Sequence, residues 1–326
     1  MTPRELHERV RADGLLGAGE VVAMVSGGRD SVCLLDVAMA VRGADRVRAL
    51  HVNYGLRGRD SDSDERHTAE LCTRLGVRLE LVRVSAEERA VGERSNLQAW
   101  ARELRYRAAH RLADELDAGG DALVATGHTA SDQVETILYR LAASPGRRAL
   151  LGMAPRDGRL VRPLLGVTRE QTGAYCQERG LRWREDQSNA DERFARARVR
   201  AALVPALRAV HPAAESSVLR TAELLRGETE VLDGLVDAEL VAMPGQIAVA
   251  RLAELHPALA RLIVIRLAED AAGEYVPQAG ARVGEILALA GDRPTGGGGP
   301  AQVHVGGSLS ATIDGGTLRM VRLPPR

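Results

Sequence analysis

Apolar residues in the first part of the chain alternate between short continuous runs and longer helical patterns. Four runs rich in Val, Leu and Ala predict β-strands at positions 20–25, 46–52, 78–84 and 121–127. Helical periodicity separates them, and the clearest helix has one apolar face formed by Leu97, Trp100, Leu104, Ala108, Leu112 and Leu116. Strands that alternate with helices predict an α/β fold with a doubly wound, mostly parallel sheet.

The pattern changes in the second half of the chain. After one more predicted helix, SDQVETILYRLA, a stretch rich in Gly, Pro and Arg predicts loops. The step His211-Pro212 interrupts the pattern, and a helical region rich in Ala, Leu and Glu follows to about Met243. QVHVGG and TLRMVRL, separated by IDGG, predict a C-terminal β-hairpin. We therefore expect two domains, residues 1–210 and a smaller, mainly helical domain at 211–326.

Composition excludes several function classes. The chain has 326 residues, 45% of them hydrophobic, which suits two cores. It contains no lysine, so a G-x-x-x-x-G-K-[ST] phosphate loop and a Schiff-base lysine are excluded. Aromatic residues make up 2%, too few for a stacking platform for single-stranded nucleic acid. The three cysteines are scattered and no run is long enough to cross a membrane, which predicts a reduced, cytoplasmic protein.

The net charge is zero, but the charge is unevenly distributed along the chain. Between positions 140 and 169 there are seven arginines and a single acidic residue, Asp157. A second arginine-rich stretch lies between positions 179 and 200. A polyanionic partner would therefore have to bind a local patch.

The sequence SGGRDS directly follows the first predicted strand and opens a helix. Its glycines let backbone N–H groups face an anion, its serines add hydroxyl donors, and the helix N-terminus adds a favourable dipole. Asp30 is a candidate ligand for the Mg²⁺ that accompanies a nucleotide. The alternative is an ordinary Gly-rich turn.

This loop is also the signature of the PP-loop ATP pyrophosphatases, which split ATP between the α- and β-phosphates. Within that group the chain resembles the tRNA(Ile)-lysidine synthetase family. The similar segments occur in the same order: HVNYGLRG (51–58), GHTASDQVETIL (127–138), LLGM (150–153), RPLL (162–165) and REDQSNAD (184–191). The resemblance implies an enzyme that adenylates the ring carbonyl of the first anticodon cytidine of a CAU-bearing tRNA(Ile). L-Lysine then displaces AMP, and ATP and Mg²⁺ are the implied cofactors.

The resemblance also implies roles for individual residues. The ATP-binding residues would be Ser26, Gly27, Gly28, Arg29, Asp30, Ser31, Gly127 and His128. The catalytic residues would be Asp30, Arg105, Asp132 and Glu135. Asp132 and Glu135 would hold the lysine. The tRNA-binding residues would be Arg102, Arg147, Arg148, Arg196, Arg198 and Arg200. His51 and Asn53 are left open as further site residues.

Several of these residues have a simpler explanation. Asp132 and Glu135 are spaced i, i+3, as are Arg102 and Arg105, and either pair without its flanking motif would be an ordinary solvated helix face. His51, at a strand end, would more often be structural than catalytic.

The chain departs from the family pattern at three places. Tyr54 replaces a histidine, Ser131 replaces an aspartate, and Ala142-Ala143 replaces Arg-Gly. Two alternatives therefore stay open: another PP-loop enzyme that modifies tRNA, and a tRNA-binding relative without activity. Thiolating relatives need paired cysteines, which the scattered cysteines do not offer. The formation of a homodimer is also left open.

Overall fold

A computed structural model describes residues 1–94, 96–117, 119–144, 146–184, 195–274, 276–291, 301–306 and 308–323. The chain divides into two compact units, Met1–Glu223 and Leu224–Arg326. The division lies later than the boundary at 210/211 that the His211-Pro212 step predicts. That step does end a helix, but the next helix, Ala214–Leu240, continues across the division without a break.

One six-stranded sheet forms the centre of the first unit in the described part of the chain. Its strands are β1 (Val21–Met24), β2 (Val47–Asn53), β3 (Arg78–Arg83), β4 (Leu123–Ala125), β5 (Arg156–Asp157) and β6 (Leu160–Val161). Their order is β3-β2-β1-β4-β6-β5, and all neighbours are parallel except β5, which is antiparallel to β6. The predicted doubly wound, mostly parallel sheet is thereby confirmed. β5 and β6 lie in the stretch predicted as loops, because two-residue strands leave no periodic pattern.

Helices cover both faces of this sheet. The helices of the first unit are α1 (Pro3–Ala12), α2 (Arg29–Arg42), α3 (Arg59–Leu75), α4 (Ala86–Glu93), α5 (Leu97–Leu116), α6 (Ala130–Ala143), α7 (Arg147–Leu150), α8 (Arg169–Glu178), α9 (Ala195–Arg198), α10 (Val204–Val210) and the first part of α11 (Ala214–Leu240). Among them, α2 and α5 lie on opposite sides of the sheet. A 3₁₀ turn (Ala44–Arg46) precedes β2, and a π-helical turn (Val199–Leu203) joins α9 to α10.

Successive residues of β1 belong to different core layers. Val21 and Ala23 pack into the core that includes α1, α2 and α8, whereas Val22 and Met24 pack against α5. Side chains of a strand point alternately to opposite faces, so a central strand covered on both sides is apolar throughout. This explains why the predicted strands appear as continuous apolar runs.

The strand order reverses beside β1. From β1 the chain proceeds to β2 and β3 on one side and then returns to β4 on the other. The segments that leave the carboxyl ends of β1 and β4 therefore diverge and leave a crevice between them. The loop SGGRDS follows β1, and the segment Thr126-Gly127-His128 follows β4.

The second unit contains a four-stranded antiparallel sheet in the order β7-β10-β9-β8. Its elements are the end of α11, β7 (Gln246–Ala248), α12 (Val249–Glu254), α13 (Pro257–Ala272), α14 (Pro277–Gly291), β8 (Ala301–Gly306), β9 (Leu309–Asp314) and β10 (Thr317–Arg322). The predicted hairpin strands QVHVGG and TLRMVRL correspond to β8 and β10, but their predicted pairing is wrong, because the unpredicted strand β9 lies between them. The IDGG turn joins β9 to β10 instead. None of the helices in the described ranges has the length and apolar character that a membrane span requires.

Candidate active site

Two hydrogen bonds fix the backbone where β1 leads into the loop SGGRDS. The Val25 N–H donates to the Leu50 carbonyl, 2.8 Å, and the Nδ1 of buried His51 donates to the Val25 carbonyl, 2.8 Å. Gly27 then adopts a φ of +87°, which favours glycine, and an added Cβ would lie 3.2 Å from the Thr68 hydroxyl. The sequence therefore needs a glycine here to turn the chain into α2.

The hydroxyl groups of the loop are organised around Ser31. Its Oγ donates to the Gly28 carbonyl, 2.8 Å, and lies 3.1 Å from both the backbone nitrogen and the Oγ of Ser26. Gly28 is the N-cap of α2, and no described side chain caps it by a hydrogen bond. The N-terminal N–H groups of a 14-residue helix thus face the crevice next to two hydroxyls, an arrangement that suits an anion.

The segment after β4 packs directly on this helix start. An added Cβ at Gly127 would lie 2.8 Å from the Asp30 carbonyl oxygen and 3.1 Å from the Ser31 nitrogen. Only glycine allows this approach without moving the backbone. The next residue, His128, is thereby held beside the loop, and its Nδ1 lies 2.8 Å from the Thr126 hydroxyl.

His128 is neutral at neutral pH. Burial lowers the pKa of its imidazole to about 4, opposed by Asp132 and reinforced by Arg162, Arg102 and Arg105. The side chain is therefore a neutral hydrogen-bonding group at this edge of the sheet.

Three carboxylates at this edge are paired with two arginines, a group that we call the carboxylate network: Asp30, Asp132, Glu135, Arg169 and Arg200. Arg169, the first residue of α8, lies 2.9 Å from Asp132 Oδ1, 3.1 Å from Glu135 Oε1 and 3.6 Å from Asp30 Oδ2. Arg200 donates two hydrogen bonds to Glu135, 2.6 and 2.9 Å. Glu135 is only 3% exposed, so both of its oxygens are occupied by guanidinium groups away from water.

The charges within the network favour each other. Burial raises the pKa of Asp132, but Arg169 and the hydrogen bonds from Thr129 outweigh it and hold the pKa below its usual value. Burial lowers the pKa of Arg169, and the three carboxylates outweigh this effect too. Asp30 also accepts a hydrogen bond from the Thr172 hydroxyl of α8 and lies 3.3 Å from the Arg29 Nε.

The chain is similar to known proteins in both its domain type and its overall sequence. Residues 4–207 match the family model described as a PP-loop domain. A tRNA(Ile)-lysidine synthase of Salinispora tropica is 36% identical over 314 residues, which cover 93% of this chain and 91% of that protein.

The chain belongs to the tRNA(Ile)-lysidine synthase family.

Other relatives of the family are longer. The tRNA(Ile)-lysidine synthase of Dehalococcoides mccartyi is 34% identical over 84% of this chain, and the match covers 61% of that protein. Two further curated tRNA(Ile)-lysidine synthases are covered to 50% and 64% of their length. The chain thus spans less than two thirds of the length of several curated relatives. Among solved structures, a U34-tRNA thiolase of Methanococcus maripaludis matches 68% of this chain and 79% of its own, with a TM-score of 0.54 and 18% identity, which establishes the fold alone.

The structure brings most of the residues that the family resemblance implies to one place. The loop from Ser26 to Ser31, Gly127 with His128, and the pair Asp132 and Glu135 all lie at the carboxyl edge of the sheet. Arg102 and Arg105 of α5 approach the same edge, since both reinforce the lowered pKa of His128, whose burial is the main cause. Their individual roles stay predictions.

The arginines predicted to bind tRNA have different surroundings. Arg147 and Arg148 lie in the short helix α7, and Arg196 and Arg198 in α9. Arg200, in contrast, is bound to Glu135 inside the carboxylate network. Most of the segment REDQSNAD lies in 185–194, outside the described residues.

His51 and Asn53 both use their polar atoms within the protein. His51 supports the loop through Val25, and Asn53 donates to Glu65, 2.8 Å, and accepts from the Gly55 N–H, 2.9 Å. Both are buried. These contacts stabilise the two strand ends beside the loop.

Two departures from the lysidine synthase pattern are accommodated within the site. The Ser131 Oγ accepts a hydrogen bond from the Arg169 backbone N–H, 3.2 Å, and so links α6 to α8. The Tyr54 hydroxyl donates to the Ala101 carbonyl, 2.9 Å, and its ring lies 6.1 Å from that of Trp100. The third departure, Ala142-Ala143, forms the exposed end of α6.

Sequence reasoning missed Arg169 and Thr172, the α8 residues that contact Asp30. The segment TREQ carries a capping box in which Thr168 and Gln171 cap α8, and that pattern predicts the helix start. It does not predict that the first turn faces the loop after β1, because this depends on the position of β6 in the sheet.

Proposed function

We propose that this chain attaches L-lysine to the cytidine at the first anticodon position of a CAU-bearing tRNA(Ile), with ATP converted to AMP and pyrophosphate. Family membership and the names of the relatives support this substrate set. The observation that carries the proposal is the position of the SGGRDS loop directly beside a carboxylate pair on α6. One subsite there suits a polyphosphate and the other a cationic amino acid.

ATP would lie with its phosphates on the loop at the start of α2. The exposed helix N-terminus and the hydroxyls of Ser26 and Ser31 supply the donors. Asp30 would hold Mg²⁺ together with phosphate oxygens, because magnesium at such sites commonly uses one or two carboxylates plus substrate oxygens. The bound ion would neutralise charge on the leaving pyrophosphate.

The reaction then proceeds in two displacements. The ring carbonyl oxygen of cytosine attacks the α-phosphorus, the new O–P bond forms and pyrophosphate leaves. The lysine ε-amino group attacks the activated ring carbon, the C–O bond breaks, AMP leaves and the amine gives up its proton. Arg105 would contact the phosphate of the adenylate, where positive charge stabilises both displacements.

Lysine binding would require an exchange of partners within the carboxylate network. Both oxygens of Glu135 and one of Asp132 already face guanidinium groups. A lysine ammonium group can enter only if Arg200 or Arg169 gives up a contact. Arg200 is the more exposed of the two, so its contact is the one expected to open.

The structure offers no support for a thiolating activity. Cys33, Cys72 and Cys176 are all fully buried, and burial raises the pKa of the Cys72 thiol to about 11. The described residues contain no group of three or more His, Cys, Asp or Glu that fits a metal ion. A cytoplasmic location and a homodimer stay predictions.

The direct experiment is lysine incorporation. Purified protein would be incubated with radiolabelled lysine, ATP, Mg²⁺ and unmodified CAU-bearing tRNA(Ile), with methionine tRNA of the same anticodon as the control. Label in the isoleucine tRNA alone is the expected result. Label in neither tRNA, with ATP still bound, would contradict the proposal and favour an inactive relative or another tRNA substrate.

An Asp30→Ala variant tests the loop within the same assay. We expect lysine incorporation to fall by at least about 100-fold, because the reacting phosphates lose a fixed charge partner. Asp45→Ala, an exposed aspartate outside the site, serves as the matched control. Incorporation unchanged in Asp30→Ala would remove the loop from the mechanism.

A further inference from the structure

Two arginines outside the predicted site are anchored on one short segment of backbone. Arg140, near the end of α6, donates from Nη1 to the Gly152 carbonyl, 2.6 Å. Arg162, directly after β6, donates from Nη1 to the Ala154 carbonyl, 2.5 Å. Both guanidinium groups thus donate to backbone carbonyls two residues apart. These acceptors carry no net charge.

The segment between these carbonyls is rigid. The Gln133 side chain donates to the Met153 carbonyl, 2.7 Å, and accepts from the Met153 N–H, 2.6 Å. Both hydrogen bonds are buried. Gly152 has a φ of +64°, and an added Cβ would lie 2.4 Å from the Gln133 Oε1. The two arginines are therefore positioned by a fixed support.

Arg102 and Arg105 of α5 extend the positive charge. The Arg102 guanidinium lies 4.7 Å from the centre of the Tyr106 ring and that of Arg105 lies 5.9 Å from it. Burial is the main cause of the lowered pKa of both Arg140 and Arg162. Arg196 and then Arg102 lower the pKa of Arg140 further, whereas Tyr106 and Asp157 oppose the lowering at Arg162 and Arg102 and Arg140 add to it. We call these four residues, Arg102, Arg105, Arg140 and Arg162, the arginine cluster.

Several donors of this region lack a partner. Arg162 is only 5% exposed, yet its Nε has no hydrogen-bond partner among the described residues. The same holds for the Nε of Arg105 and the hydroxyl of Tyr106, whose atoms are buried. Buried donors without partners are costly, and guanidinium groups that form no ion pair with a described carboxylate can bind an anion.

The extent of the cluster distinguishes between two phosphate sources. At one end Arg102, Arg105 and Arg162 act on His128, beside the loop after β1, and at the other end Arg140 lies eleven residues beyond the N-cap of α6. At 1.5 Å per residue this is roughly 16 Å along the helix. Arg196 of α9 also lowers the pKa of Arg140, after burial and ahead of Arg102, so the positive charge includes α9. A triphosphate on the loop does not need a site of this length, whereas a strand with a phosphate at every nucleotide does.

We propose that Arg140 and Arg162, together with Arg102, bind backbone phosphates of the RNA strand that carries the target nucleotide and orient it over the loop after β1. This rests on the proposed function for the identity of the RNA. It assigns a positioning role to Arg140 and Arg162, residues to which the family resemblance assigned no role.

The test is the salt dependence of RNA binding. Binding of a CAU anticodon stem-loop RNA would be measured by fluorescence anisotropy over a range of salt concentrations, without ATP or lysine. Arg140→Gln should weaken binding several-fold and reduce the slope of log K against log salt by about 0.7, the value for one contact to a single strand. Arg162→Lys should weaken binding because lysine keeps the charge but loses the forked donors.

Arg107→Gln is the matched control, since Arg107 lies on α5, is 68% exposed and pairs with Glu103. Its salt slope should equal that of the unmodified protein. ATP affinity and the melting midpoint are measured for every variant. Equal slopes in Arg140→Gln and Arg107→Gln would overturn the proposal and leave the two arginines as supports of the 152–154 segment.

A loss of ATP affinity with an unchanged RNA slope would also overturn it and assign the cluster to nucleotide phosphates. Failure of lysine incorporation in the unmodified protein is a separate outcome. With the slopes still different, it would count against the proposed function while the RNA contacts remain supported.

Discussion

Two groups of arginines at the carboxyl edge of the same sheet differ in the groups that face them. In the carboxylate network, Arg169 and Arg200 face three acids at 2.6–3.6 Å. In the arginine cluster, Arg140 and Arg162 donate to uncharged backbone carbonyls and retain unpaired neighbours. Within the described residues the first group is neutralised by its carboxylates, whereas no carboxylate forms an ion pair with Arg140 or Arg162.

This difference indicates what each group can bind. A buried and fully paired network is stable without ligand and admits a cation only by exchanging one partner for another. A cluster of like charges with uncommitted donors destabilises the free protein and is relieved by an anion. The two arrangements therefore suit a cationic amino acid and a polyanionic strand at adjacent positions.

The largest effect on stability is expected from breaking the paired group. Glu135→Ala should lower the free energy of unfolding by about 3 kcal/mol, because two guanidinium groups lose their partner in a buried site. Chemical denaturation monitored by circular dichroism measures this. Glu103→Ala, which removes an exposed carboxylate paired with Arg107 at 3.8 Å, is the control and should change stability little. Similar losses in both variants would show that the network is not effectively buried.

A second prediction concerns His128, which lies between the two groups. Because its pKa is about 4 in the folded protein and near 6.5 in the unfolded chain, the unfolded chain binds more protons between these values. Stability should therefore fall as pH decreases from 6.5 towards 4. From pH 7 to pH 5 the unmodified protein should lose about 2 kcal/mol more than His128→Asn.

His51 provides the internal comparison for this titration, since burial also lowers its pKa and its loss of stability has the same sign. His51 is present in both the unmodified protein and His128→Asn. The difference between their stability curves therefore reports the titration of His128 alone. Parallel stability curves for the two proteins would mean that His128 is solvated and titrates normally.

The sequence predicts the parts of this site that local chemistry determines. Gly27 and Gly127 are required by a turn and by a close approach, and both occur in motifs that adjoin predicted strands. The apolar runs predict β1 to β4 because buried parallel strands are apolar on both faces. The loop after β1 and the acids of α6 could therefore be assigned to one crevice before the structure was known.

The remaining parts depend on long-range packing. Arg169 reaches Asp30 and Asp132 across a sequence distance that no local pattern bridges. β6, whose two residues carry no periodicity, determines where Arg162 lies. From the sequence, Arg200 is one of several arginines in a basic stretch, and only the fold distinguishes it by contact with Glu135.

The smallest expected effect is the stability change on weakening the arginine cluster. Arg140→Gln loses a hydrogen bond to the Gly152 carbonyl, a cost of about 1 kcal/mol, but also removes repulsion from Arg196 and Arg102. These effects oppose each other, so the free energy of unfolding should change by less than about 1 kcal/mol. Replacing chloride with inorganic phosphate at constant ionic strength should raise the melting midpoint of the unmodified protein more than that of Arg140→Gln. Because the loop after β1 is intact in both proteins, an equal rise would assign all phosphate binding to that loop and remove the contrast between the two groups of arginines.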